Sequence, residues 1–212
     1  MEQEEKVLTE HESLSIIQQM IDTAKQEQKD DGKSWIIWGW MLFVASIFTY
    51  INLETKWFSA FFFWDFFGLL TLVLFLIEIG RDFFGKKKIK VKTYSKDIFR
   101  TLNAGFFISL MFIIVAMNTR AVHPTQGFAF LISLYGFWIL IYGTLLDFKP
   151  SIIGAFITWV IAFIALFQPE ENFGIVMLLQ AAAVLIGYII PGYIANREFK
   201  KLHRRSFNQD SV

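Results

Sequence analysis

Residues 57–79, WFSAFFFWDFFGLLTLVLFLIEI, form an unbroken apolar block with only Asp65 and Glu78 charged, and a basic run over residues 81–96 with the core KKKIKVK follows at once. At about 1.5 Å of helical rise per residue, such a block spans a hydrocarbon core about 30 Å thick. The chain is therefore read as a membrane protein first, and every other feature is weighed inside that frame.

Asp65 opposes insertion, but weakly. A central Asp costs roughly 2.5–3.5 kcal/mol, while each Phe, Leu, Ile or Val contributes about −0.3 to −0.6, and fifteen of these surround it. Insertion wins. A helix starting at Trp57 places Asp65 about 12 Å deep, facing other helices or a wet cavity. A helix starting near Phe61 leaves it about 6 Å deep and able to reach the headgroups. A structural hydrogen bond to another helix and a transport or sensing role are the remaining readings.

Six such blocks follow the first 33 residues, at 34–52, 57–79, 98–117, 126–146, 151–167 and 173–194. Trp35, Trp38, Trp40, Tyr50, Trp57 and Tyr193 fall near their ends, as an aromatic belt requires. Lys and Arg are distributed eighteen to two, with only Lys56 and Arg120 on the opposite side, when both termini are placed in the cytoplasm. That bias sets the orientation.

The head, residues 1–33, has nine acids against four lysines and no apolar core, so it is not read as a cleavable signal peptide. Thr9 with Glu12 has the form of a capping box, and Leu14, Ile17, Met20 and Ile21 form an apolar stripe on a helix expected over residues 10–29. Residues 81–100 carry net +6, including Lys86, Lys87, Lys88, Lys90 and Lys92, and the tail 195–212 carries net +3. Each cation near an anionic inner leaflet is worth about 1 kcal/mol. Anionic lipid or a protein partner is the expected contact of this basic surface, with the head helix docking there or pairing with its copy in a homodimer. Nucleic acid is not expected, since Tyr94 is the one aromatic ring between Phe84 and Phe99 in this basic run.

Chemistry inside the spans is sparse. Asp65, Asn103 and Gln180 are the candidate intramembrane polar site, and interhelical hydrogen bonding is the plainer account of Asn103 and Gln180. His11, His123 and His203 lie in the tails or a short loop, there is no cysteine, and no phosphate loop or nucleophile elbow occurs. No cofactor, metal or enzymatic activity is expected. Trp38-Gly39-Trp40 is echoed by Tyr135-Gly136-Phe137, a weak hint of an inverted repeat. Pro191-Gly192 reads as a kink or a helix end. Small residues at Gly136 and Gly143, at Gly154, Thr158 and Ala162, and at Ala183 and Gly187 predict close helix crossings.

The run Glu12-Ser13-Leu14, Ile17, Met20-Ile21, Ala24-Lys25, Gly32 and Trp38-Gly39 resembles a group of small uncharacterised bacterial membrane proteins with an acidic cytoplasmic amphipathic helix before the first span. The resemblance covers about the first fifty residues and implies an architecture without implying an activity. The expectation is an all-α inner-membrane bundle of six transmembrane helices (34–194), preceded by a cytoplasmic amphipathic helix (1–33) and followed by a basic tail (195–212). Its expected role is regulatory or scaffolding; the alternative is a small-solute or ion transporter with Asp65 in its pathway.

Overall fold

The computed structural model describes residues 32–84 and 94–209. The head helix with Leu14, Ile17, Met20 and Ile21 lies outside the described residues, as do Lys86, Lys87, Lys88, Lys90 and Lys92. The described elements are α1 (Lys33–Thr55), α2 (Phe62–Phe84), α3 (Tyr94–Asn118), α4 (Pro124–Leu145), α5 (Lys149–Leu166), a 3-10 turn (Glu170–Asn172), α6 (Phe173–Val184), a π turn (Leu185–Ile189) and α7 (Ile190–Gln209). Because α6, the π turn and α7 run on without a break, the described residues form six helical rods and no strand. Five of the six are long and apolar enough to cross a bilayer; α2 is helical over 23 residues, with Phe62–Thr71 as its described apolar stretch. Residues Gly32–Ile194 form one compact body, and the helical residues beyond them belong to a separate unit.

Local chemistry sets the helix ends. Lys56, Arg120 and Asp147 each take the left-handed conformation (φ 53°, 59° and 49°) directly after or just beyond a helix. That conformation turns the chain away and lets the next amides satisfy the last carbonyls: Lys56 N–H donates to Asn52 O at 2.7 Å, and Phe148 N–H to Gly143 O at 2.7 Å. At the start of α4, the His123 ring accepts from Thr125 N–H, and Pro124 occupies the first turn, where its missing N–H costs nothing.

Three expectations need correction. The second helix begins at Phe62, in agreement with the later start weighed near Phe61 and not with the block's first residue Trp57, because buried Asn52 holds the intervening turn: its Oδ1 accepts from Phe58 N–H at 2.9 Å and its Nδ2 donates to Phe58 O and Ser59 O at 3.2 and 2.9 Å. Pro191 does not end the last helix. The π turn just before it, in which Ile190 N–H reaches back to Leu185 O, absorbs the proline's missing donor and ring, and the helix continues to Gln209. Trp35 and Trp38 are not belt residues. Trp35 is only 7% exposed and stacks on Tyr188 with centroids 4.7 Å apart, while Trp38 meets Phe67 edge to face. By contrast Trp57, at 73% exposure, faces outward.

The small-residue spacings mark where rods cross. A Cβ built on Gly143 would lie within 3.0 Å of Ser151 and Ile152, and one on Gly136 within 2.9 Å of the Trp159 indole. On the other side of α5, Gly154 faces the backbone of Ile186 and Gly187. In lipid, such close approach supplies the van der Waals contact that solvent exclusion supplies in water. The packed core is α1, α4, α5 and the α6–π rod. Backbone to backbone, α2 lies against α1 alone and α3 against α4 alone, and among the described residues α2 and α3 do not approach each other. None of residues 101–118 in α3 is buried.

Candidate functional site

The splayed pair α2 and α3 leaves a cavity of about 320 Å³ above the packed core. Each helix contributes residues at helical spacing: Ser34, Trp35, Trp38 and Leu42 from α1; Phe67 and Thr71 from α2; Asn103, Phe106, Phe107 and Leu110 from α3. Tyr135 and Trp138 from α4 and Tyr188 from the π turn complete the wall. Gly39 and Gly192 explain the shape. A Cβ on Gly39 would lie 2.7 Å from Ile189 and one on Gly192 3.0 Å from Ile36, so α1 closes onto the last rod while α2 and α3 stand off.

The rings hold one another in place. Tyr188 stacks on Trp35 at 4.7 Å and meets Tyr135 edge to face at 6.1 Å, and Phe106 tilts against Trp138 at 5.1 Å. Such pairs add about 0.5–1.5 kcal/mol each beyond area burial, so the wall is preorganised. The described lining residues include no charged side chain, and their polar members are Ser34, Thr71, Asn103 and the two tyrosines. Thr71 Oγ1 already donates to Phe67 O at 2.9 Å. An arrangement of this kind can bind and orient a molecule. Among the described residues, no group of three or more His, Asp or Glu could hold a metal ion.

Comparison with protein-family models, curated proteins and solved structures finds no match for this chain. Its length, composition and helical packing make it a multi-span α-helical membrane protein.

The three polar candidates from the sequence are not brought together. Asp65 sits in the first turn of α2, exposed, with its N–H on Phe61 O at 2.9 Å, and it does not line the cavity. A carboxylate there complements the positive end of the helix dipole. Asn103 lines the cavity. Gln180 is fully buried in α6, with neither its amide nitrogen nor its amide oxygen hydrogen-bonded. The aromatic residues that make the wall were not singled out as a site by sequence. Their spacing was present in Trp35-x-x-Trp38 and Phe106-Phe107-x-x-Leu110, but in an apolar chain the same spacing describes any lipid-facing or core-facing stripe.

Proposed function

We propose that this is a non-enzymatic, six-span membrane protein with both termini in the cytoplasm, acting as a regulatory component that responds to a small molecule dissolved in the bilayer. The observation that carries this reading is the aromatic-walled cavity, with no charged side chain among its described lining residues, lying under two helices whose backbones each approach one neighbour among the described residues, α2 adding the ring contact of Trp64 with Phe128 of α4. A ligand wedged there changes the spacing of α2 and α3, and the chain joining those helices is the basic loop with Lys86, Lys87, Lys88, Lys90 and Lys92. The loop would contact anionic inner-leaflet lipid or a cytoplasmic partner, and the acidic head with its Leu14, Ile17, Met20 and Ile21 stripe would compete for the same basic surface. The transport alternative through Asp65 has less support, because that carboxylate stands outside the cavity.

Two measurements test this. For topology, cysteines at Thr55 and Glu171 should react with an impermeant thiol reagent in intact cells and one at Ser206 should not; reaction at Ser206 would end the six-span arrangement. For the response, spin labels at Leu69 and Ile108, both exposed, report the α2–α3 separation in nanodiscs. Saturating biphenyl should shift that separation by about 1–2 Å or more, the scale of ligand-driven helix shifts. An unchanged distance distribution with biphenyl bound overturns the regulatory reading.

A further inference from the structure

We infer that the cavity is a site for a lipophilic organic cation, one whose charge is shielded by carbon, such as a quaternary ammonium or an arylphosphonium. This deepens the proposed function and rests on its reading of the cavity as a ligand site.

The argument starts from composition. Eight of the thirteen lining residues are aromatic, whereas the packed core is filled largely with Ala, Ile, Leu and Val. Aliphatic side chains would line a purely apolar cavity equally well. Rings differ in carrying a negative face, which attracts cations, most strongly on Trp, and repels anions. Among the described residues no Lys or Arg lines the cavity to oppose a cation, and Asn103 adds an uncharged carbonyl dipole.

The same lining rejects compact cations. With no carboxylate among the described lining residues, a strongly hydrated ion such as potassium or a primary ammonium would lose its water with no counter-charge from them in return. Only a cation already weakly hydrated avoids that cost. Size agrees, since about 320 Å³ is at the lower end of cavities that hold drug-sized molecules.

The route and the source follow from position. Among the described residues the backbones of α2 and α3 do not come together, so a molecule dissolved in the bilayer can enter between them. Trp138 lies seven residues before the end of α4, at Leu145, or about 10 Å along the axis from that end. Ser34, at the other end of the wall, is the second residue of α1, so the cavity runs inward from a helix end, and a free bilayer-partitioned cation fills the depth at Trp138 that a choline headgroup held in its own plane does not.

Tetraphenylphosphonium and tetraphenylborate have nearly the same size and shape and opposite charge, which makes them the probes. Equilibrium dialysis of the purified full-length protein in maltoside micelles should show saturable phosphonium binding at least about tenfold tighter than borate binding. Trp38→Leu and Trp138→Leu should each weaken phosphonium binding about tenfold, Trp38→Phe should fall between, and Trp57→Leu, outside the cavity, should not change it. Equal affinity for the two ions overturns the charge assignment while leaving the cavity a binding site. Absence of saturable binding by either removes the cavity reading as well, and displacement of the phosphonium by a short-chain phosphatidylcholine overturns the free-cation source.

Discussion

Gly187→Leu should leave little folded protein. A Cβ at this position would lie 2.5 Å from Ile139 Cδ1 and 2.9 Å from Thr158 Oγ1, and both neighbours are buried, at 0% and 1% exposure. Neither can swing into open space. The backbone is equally constrained, because Gly187 Cα is what a Cβ on Gly154 of α5 would meet at 3.4 Å. Adding methylenes to a packed core costs about 1–3 kcal/mol where neighbours can yield. Here four heavy atoms must enter a glycine-to-glycine crossing, so the expected loss is at least about 3 kcal/mol. Fluorescence-detected size exclusion and thermal unfolding in detergent read the outcome. Gly68→Leu and Gly105→Leu are the controls, since a Cβ there meets nothing within 4 Å. They should behave as wild type; if Gly187→Leu does too, the α5 crossing is looser than described.

Gln180→Met should act in the opposite direction. The side chain is fully buried and neither end of its amide is hydrogen-bonded. A buried amide without a partner costs about 1–3 kcal/mol in folded proteins, and an apolar side chain of similar length relieves that cost without opening a void. The variant should gain about 1 kcal/mol or more and melt several degrees higher; the hydrogen-bonded alternative would lose about 0.6 kcal/mol, the average for such bonds within membranes. A lower melting temperature would mean that Gln180 has a partner in the working protein and would return it to the list of functional residues.

These two positions show what sequence reasoning reaches in a chain of this kind. Gly187 was legible as a crossing point because small residues at spacings of four have a single physical use between lipid-embedded helices. The helices themselves were legible for a similar reason, since long apolar blocks punctuated by Pro124 and by residues 147–150 leave few alternatives. The start of α2 was legible only as one of two alternatives, Trp57 or Phe61, because the choice depends on Asn52 folding its amide back over the next turn, a contact no hydropathy pattern encodes. Trp35 and Trp38 misled for a related reason. An aromatic near a helix end is at home in the headgroups or against another ring, and only the closure of α1 onto Tyr188 decides between them. The cavity is a product of that closure, which is why the residues that form it carried no separate mark.

The closure of α1 onto the last rod also sets a clock on assembly. Trp40 Nε1 donates to the hydroxyl of Tyr193 at 3.3 Å across a sequence separation of 153 residues. At about 5–20 residues per second of synthesis, the first helix waits roughly 8–30 s in the membrane before its main partner exists. During that interval α1 can pair with α2 and reach Tyr142 of α4 through Trp35, but the face of Gly39 that will later meet Ile189 stands open to lipid and to other nascent chains. Ribosomes that stop before residue 173 release α1 to α5, with the α4–α5 crossing made but without the rod onto which α1 closes.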